Sequence, residues 1–384
     1  MDFGLTKSEK EMQKAAKAFA KGEFDKDMSL ELDKKKEFPT KVWEKAGELG
    51  FIGMHFSEEC SGQDLGLMES CIVIEEFCRK DSTLGSTLAF SSYGSESILK
   101  YGSDELKKKF LPEVAEGRML SSCAFKENGK GYNFKSLSTT AVRDGDEWII
   151  NGEKTYVLNG GSAGFYTVLC QTDSDADITK GLSMFLVEAD REGLVADDVG
   201  EKLGLRMIKT ATIKLNNVRV PASNLIGNEG SGYKQIQEFF DINRIIIAAQ
   251  AVGMAQGAFD RALDYVKQRE QFGKKIAQFQ ITGHKIANLS TTITQIRLLT
   301  YNAAWNYDQG KNDSKLTAMA KLASTKAAVD VAAEAIQLFG GYGFMTEYEV
   351  ERYYRDSKVI EIFEGNRGVQ RDAIGKDVIG KIKK

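Results

Sequence analysis

The apolar rhythm of this chain changes twice, and that change constrains the fold more than any single motif. In residues 1–120, apolar side chains recur every three or four positions, the spacing of one helical face. Val42, Ala46 and Leu49 keep that interval and Gly50 offers a stop; Leu67, Cys71, Ile74 and Cys78 repeat it. Asp104, ahead of Glu105-Leu106-Lys107, is expected to cap a further helix. Residues 121–228 carry strand and turn signals instead. Asp144-Gly145 separates Thr139-Thr140-Ala141-Val142 from Trp148-Ile149-Ile150, and Asn151-Gly152 then precedes Lys154-Thr155-Tyr156-Val157. Both dipeptides favour the tight turns of antiparallel hairpins. Phe165–Leu169, Leu182–Val187 and Ala211–Leu215 read as further strands, so a small β-domain or barrel is expected. Residues 229–384 return to helix. From Arg244 to Lys267 one face carries Ile245, Ala248, Val252, Ala255, Phe259, Ala262 and Val266, and Leu316 to Leu338 is similarly Ala-rich. Small residues such as Ala249, Gly253 and Gly257 permit close helix contacts, and two such helices suggest an antiparallel bundle. The fold class is α+β, mostly α, and the lack of βαβ alternation argues against a Rossmann fold.

Composition narrows the function. The 384 residues have a formal net charge of -3, so no cationic excess points to nucleic acid. The basic Lys381-Ile382-Lys383-Lys384 reads as a solvated tail. Met1-Asp2-Phe3-Gly4-Leu5-Thr6-Lys7 lacks the basic-then-apolar order of a secretory signal. No apolar run reaches the ~20 residues that span a bilayer, so a cytoplasmic protein without membrane insertion is expected. Cys60, Cys71, Cys78, Cys123 and Cys170 form no Cys-x-x-Cys pair and read as buried free thiols. His55 and His284, the only histidines, are isolated in sequence, which supplies a His-based metal site or a Ser-His-Asp triad poorly.

Several segments then resemble the acyl-CoA dehydrogenase family, in the family's order and across essentially the whole chain. Asn217-Val218-Arg219-Val220-Pro221 is similar to the segment closing its β-domain, and Phe240-Asp241-Ile242-Asn243-Arg244 to the one opening its first C-terminal helix. Arg269-Glu270-Gln271-Phe272-Gly273-Lys274-Lys275-Ile276 with Phe279-Gln280, and Ile336 through Phe344, match two more. Ile360-Glu361-Ile362-Phe363-Glu364-Gly365-Asn366, after Tyr354-Arg355-Asp356-Ser357-Lys358, resembles the C-terminal signature that holds the catalytic base. The resemblance implies an N-terminal helical domain (1–120), a middle β-barrel domain (121–228) and a C-terminal four-helix bundle (229–384).

It also implies roles. Glu364 would remove the α-proton of an acyl-CoA, and Gly365 would let backbone approach flavin or substrate closely. A second base position known in the family, just before Arg244, is Asn243 here and lacks a carboxylate. Asp241 and Arg244 would contact the CoA part of the substrate. Arg269 and Phe272 would reach a neighbouring subunit's FAD, with Gln337 and Gly341 at its adenosine end, so a homodimer or homotetramer is implied.

The flavin motifs depart from the family. Where it carries T-E-P-x-x-G-S-D, this chain has Lys126-Glu127-Asn128-Gly129-Lys130-Gly131-Tyr132-Asn133. Where it carries W/F-I-T-N-G, this chain has Tyr156-Val157-Leu158-Asn159-Gly160, and Asn366 replaces a third Thr. Lys126, Tyr156, Leu158 and Asn366 are thus expected around the cofactor, Lys126 stabilising a reduced anionic flavin. The leading expectation is an FAD-dependent acyl-CoA dehydrogenase forming 2-enoyl-CoA and passing electrons to an electron-transferring flavoprotein. The alternatives are the reverse enoyl-CoA reductase, and a flavin-poor CoA-thioester lyase, hydratase or partner subunit. Phe90-Ser91-Ser92-Tyr93 and Tyr342 to Glu347 are candidates for lining the acyl pocket.

Overall fold

The computed structural model describes residues 4–380; the first three residues and the basic tail 381–384 lie outside the described residues. Seven helices open the chain: α1 (Lys7–Glu23), α2 (Lys26–Lys35), α3 (Thr40–Glu48), α4 (Leu67–Lys80), α5 (Ser82–Ala89), α6 (Ser95–Tyr101) and α7 (Asp104–Ala115). Gly50 follows α3 with φ +72°, and Cys71 and Cys78 lie buried on α4. The expected cap of α7 is displaced by one residue. Ser103 is the cap, accepting from the Leu106 N–H at 3.3 Å, and Asp104 is the first helical residue. There its carboxylate lies near the positive end of the helix dipole.

The strands are β1 (Ser121–Ala124), β2 (Thr140–Asp144), β3 (Glu147–Leu158), β4 (Phe165–Gln171), β5 (Leu182–Glu188), β6 (Leu194–Asp198), β7 (Thr210–Pro221) and β8 (Leu225–Ile226); the short helix α8 (Ile178–Gly181) precedes β5. They pair in the order β6-β7-β3-β2-β4-β5-β8, with β1 parallel to β4. This is an open sheet, not the expected barrel: among the described residues β6 pairs only with β7 and β8 only with β5, so the ends never join. Asp144-Gly145 does form a hairpin, with Asp144 opposite Glu147. Asn151-Gly152 does not turn. β3 runs through it as one strand with a register slip against β7 between Ile150 and Gly152. The Asn151 side chain is engaged sideways, accepting from the Asn217 N–H at 2.8 Å. An Asn-Gly pair is therefore used here as a bulge.

The C-terminal part comprises α9 (Gly232–Gln268), the hairpin β9 (Glu270–Gln271) and β10 (Lys274–Lys275), α10 (Gln280–Asp308), α11 (Ser314–Phe339), α12 (Val350–Ile362) and α13 (Arg367–Ile379). The 37-residue α9 packs against both α4 and α11, so helices from the two ends of the sequence share one apolar core. Gly253 makes this possible: a Cβ there would stand 2.4 Å from the Glu75 carbonyl oxygen of α4. A smaller core, with Trp148, Tyr166 and Phe185, lies on the other face of the sheet.

Buried polar ties hold α12 to the N-terminal helices. Arg352, fully buried, reaches Asp81 at 2.6 Å and Ser29 at 2.7 Å. Asp356 accepts from Ser82 at 2.7 Å, Thr83 at 2.6 Å and the Leu205 N–H at 2.7 Å. These bonds anchor the N-terminal half of α12, and the candidate site begins at its other end. Among the described residues no helix is long and apolar enough to cross a membrane. All five cysteines are buried and free.

Candidate active site

Helix α12 stops at Phe363, and the chain then passes through two consecutive positive φ values, +49° at Glu364 and +90° at Gly365. Gly365 suits such a turn because it carries no Cβ. Glu364 is the unusual residue, since few non-Gly side chains adopt that conformation. The turn aims the Glu364 carboxyl inward, where it is 2% exposed.

The carboxyl meets an aromatic wall. The Tyr93 hydroxyl, from the turn between α5 and α6, donates to Glu364 Oε1 at 2.6 Å. Tyr93 is itself buried against Phe90, Phe239 and Phe363, with ring centroids 5.3 to 5.9 Å away. Glu364 Oε2 is buried and has no hydrogen-bond partner. Burial pushes the Glu364 pKa up to about 8; Glu96 adds to the rise, while Tyr93, Lys321 and Arg244 oppose it. A carboxyl with one oxygen anchored, one free, and a pKa near neutrality is suited to take and release a proton.

Two side chains hold the turn from behind. Lys321, buried on α11, donates to the carbonyl oxygens of Phe363, Glu364 and Gly365, the last at 2.6 Å. Gln370 of α13 donates to those of Glu364 and Gly365 at 3.2 and 2.9 Å. Burial lowers the Lys321 pKa, while the charges of Glu364 and Glu361 oppose that fall and favour the ammonium when Glu364 is ionised.

The loop after β1 comes close to the carboxyl. Tyr132 lies close enough to Glu364 and the Gly365 N–H for both to act on its titration. Its ring stands 5.7 Å from Phe240, on which Phe134 stacks at 6.0 Å. The loop is tied down by Glu127, whose carboxylate accepts from the backbone N–H and hydroxyl of both Ser138 and Thr139 at 2.6–2.8 Å. Buried Lys154 completes the set at 3.0 Å.

The other expected site residues fall into three places. Lys126 lies over the Tyr156 ring, 4.3 Å from its centroid. Tyr156 is 57% exposed, whereas Leu158 is buried and its carbonyl accepts from the Ser122 hydroxyl. Arg269, Gln337 and Gly341 line a surface groove of about 600 Å³. Tyr342 and Glu347 line it too, so that part of the expected acyl-pocket lining stands at the groove, while Phe90 and Tyr93 do stand by Glu364. Phe272 projects from the β9–β10 hairpin, 93% exposed. On α9, Asp241 receives Arg244 at 2.9 Å, Ser314 at 2.6 Å and Thr317 at 3.0 Å, which fills it with partners from this chain. Arg244 keeps one buried, unpartnered Nε. Asn366 caps α13, accepting from the Gly368 N–H at 2.9 Å. Asn243 returns to its own helix, donating to the Phe239 carbonyl at 3.1 Å.

Comparison with known proteins agrees with this architecture. Profiles of the acyl-CoA dehydrogenase N-terminal, middle and C-terminal domains match residues 6–118, 122–218 and 230–379. The chain is 36% identical over 378 residues to a probable acyl-CoA dehydrogenase, FadE25, of Mycobacterium tuberculosis, covering 98% of this chain and 97% of that one. The chain belongs to the acyl-CoA dehydrogenase family. It is also 40% identical over 334 residues to a cyclohexane-1-carbonyl-CoA dehydrogenase of Geobacter metallireducens, covering 86% of this chain and 87% of that protein. A glutaryl-CoA dehydrogenase from Mycobacterium smegmatis, solved in complex with FADH2, superposes with a TM-score of 0.92 at 28% identity, covering 99% of this chain and 96% of that one. The family's enzymes are oxidoreductases acting on CH–CH bonds.

Sequence reading overlooked Lys321, Gln370 and Tyr132 as parts of this acyl-CoA dehydrogenase site. Lys321 did leave a signal. It is a lone charge between Ala318, Ala320 and Ser324, on a helix face otherwise composed of small residues. A cation on a buried face needs acceptors.

Proposed function

We propose that the protein is an FAD-dependent acyl-CoA dehydrogenase, converting an acyl-CoA to its 2-enoyl-CoA with Glu364 as the α-proton base. The observation that carries this is the Glu364 carboxyl itself: enclosed, anchored through one oxygen, bare at the other, and raised to about 8. A thioester α-proton is weakly acidic, so its removal needs a base close by and donors for the oxygen that gains charge. Glu364 Oε2 takes the proton, and the main-chain N–H of Glu364 faces the thioester oxygen.

The residues present fit FAD. Tyr156 and Phe272 are large aromatic side chains that this chain alone leaves uncovered, suited to a flat ring system and to a second subunit. Arg269, Gln337 and Gly341 supply a groove with a cation and a polar side chain for the adenosine and phosphate end. When bound, FAD supplies the acceptor for the β-hydride. A homodimer or homotetramer then completes each site, because Phe272 extends away from its own chain. Arg244, with one donor uncommitted, takes part in holding the CoA moiety, and Asp241 keeps its guanidinium in place. An electron-transferring flavoprotein in the cytoplasm is the proposed electron acceptor.

The purified protein should be yellow, and an acyl-CoA should bleach it anaerobically. Glu364→Gln should retain the colour and lose the bleaching. Colourless protein that cannot be reconstituted with FAD would overturn the redox reading and leave the non-redox one. The midpoint potential with substrate bound separates dehydrogenase from enoyl-CoA reductase.

A further inference from the structure

The Phe363-Glu364-Gly365 turn shows an asymmetry that its role as carrier of the base does not explain. Three successive carbonyl oxygens converge on one ammonium, that of Lys321. Lys321 is 1% exposed and sits on α11, a helix otherwise packed through small side chains. In a trans peptide the C=O and N–H point in opposite directions. Drawing the three carbonyls toward α11 therefore turns the N–H groups of Glu364, Gly365 and Asn366 away from it. Among the described residues, none of these three N–H groups donates to a main-chain carbonyl.

From this geometry we infer that Lys321 is a positioning residue for proton abstraction: its ammonium sets the direction of the donor array that stabilises the developing enolate oxygen. The inference rests on Glu364 being the base. In the step concerned, the α-C–H bond breaks and its proton goes to Glu364. The electron pair moves into the Cα–C bond, and the thioester oxygen takes the negative charge. Lys321 never touches the reacting atoms. It acts through the peptide planes, and its charge at their carbonyl ends polarises the N–H groups opposite. Donors fixed before the reaction need no reorientation when charge appears, and losing one such donor costs about a hundredfold to a thousandfold in rate. Gln370 shares two of the carbonyls but is neutral, so it restrains the turn without polarising it.

The test is α-hydrogen exchange of an acyl-CoA in D2O, followed by proton NMR in the absence of any electron acceptor, with the dissociation constant of the same thioester measured in parallel. Wild-type protein should exchange, and Glu364→Gln should not; failure of that pair sinks the base assignment and not the role of Lys321. Lys321→Met and Lys321→Gln should bind the thioester within about threefold of wild type and lose at least a hundredfold in exchange rate. Exchange within twofold of wild type in either folded variant overturns the inference. Lys321→Arg, which keeps a cation at the three carbonyls, is the second variant: it should exchange at least tenfold faster than Lys321→Met, and folded Lys321→Arg as slow as Lys321→Met would mean that packing of the turn, not the cation, sets the donors.

Discussion

Tyr93→Phe removes one hydroxyl and leaves the aromatic packing of the site in place, so its effect can be worked out closely. The Tyr93 hydroxyl is the only hydrogen-bond donor to the Glu364 carboxyl among the described residues, at 2.6 Å. It favours the ionised form, as do the charges of Lys321 and Arg244, while burial and Glu96 disfavour it. A hydrogen bond to a charged group is worth about 1.5–3 kcal/mol. At about 1.4 kcal/mol per pKa unit, its loss raises the Glu364 pKa by roughly one to two units above its value of about 8. At pH 7 the ionised fraction then falls by roughly tenfold to a hundredfold. The assay is kcat/KM against pH with an artificial electron acceptor, since kcat/KM reports the free enzyme's groups. The acid limb should move upward by one to two units, and the variant should recover most of its rate at high pH. A profile that stays in place while the whole curve drops would refute the reasoning, because it would mean that Tyr93 acts on substrate and not on the base.

Three further outcomes follow from the structure. Glu127→Ala leaves Lys154 buried without its partner and should destabilise the protein by about 3–5 kcal/mol, read from urea unfolding. Burial works against the Glu127 carboxylate, but Lys154, Thr139 and Ser138 outweigh it and hold the pKa down to about 2, so its stabilisation is complete above the unfolded value of about 4.3 and is lost as pH falls toward 2; wild type should show this acid loss and the variant should not. Phe272→Asp puts a charge where an exposed ring projects, so it should shift the protein toward monomer on size-exclusion chromatography and release FAD with it, without lowering the melting temperature of the monomer. Tyr132→Ala removes a ring close to Glu364 and should raise the association rate of a CoA thioester at least threefold in stopped flow, with the rate unchanged if that ring does not hinder entry.

The helical parts and the Glu364 turn were legible in the sequence because their signals are local. A 3.6-residue rhythm reports one buried face wherever that face ends up, and α4, α9 and α11 include the segments that showed it, whereas α3 buries Val42 and Ala46 but stops short of Leu49, which is exposed. The sheet was less legible. Asn151-Gly152 reads as a turn in isolation, and only the opposite strand, through Asn217, makes it a bulge. Closure into a barrel depends on whether β6 and β8 meet, which no local pattern encodes. The site divides the same way. Glu364 stands in a contiguous motif, whereas Tyr93 and Lys321 come from 271 and 43 residues away. Their convergence is a property of the α11–α12 packing for Lys321 and of the α5–α12 and α5–α9 packing for Tyr93.

The three positions where the family's threonines are replaced do not form one coordinated change. Asn366 keeps a side-chain oxygen on the N–H groups that open α13, the capping task at which Asn performs as well as Thr. Leu158 is anchored through its carbonyl by Ser122, so β3 ends in place without a side-chain hydroxyl there. Lys126 is the substantive difference. It brings a cation beside the exposed Tyr156 ring, and burial already lowers its pKa. A positive charge at that ring would favour an anionic reduced flavin over the neutral oxidised one. Among these three positions the chemical difference therefore concentrates in one side chain. Lys126→Thr, which restores the family residue, should lower the flavin midpoint potential measured by spectroelectrochemistry, while Asn366→Thr and Leu158→Thr should leave it nearly unchanged. An unmoved potential in Lys126→Thr, with FAD bound, would refute this assignment.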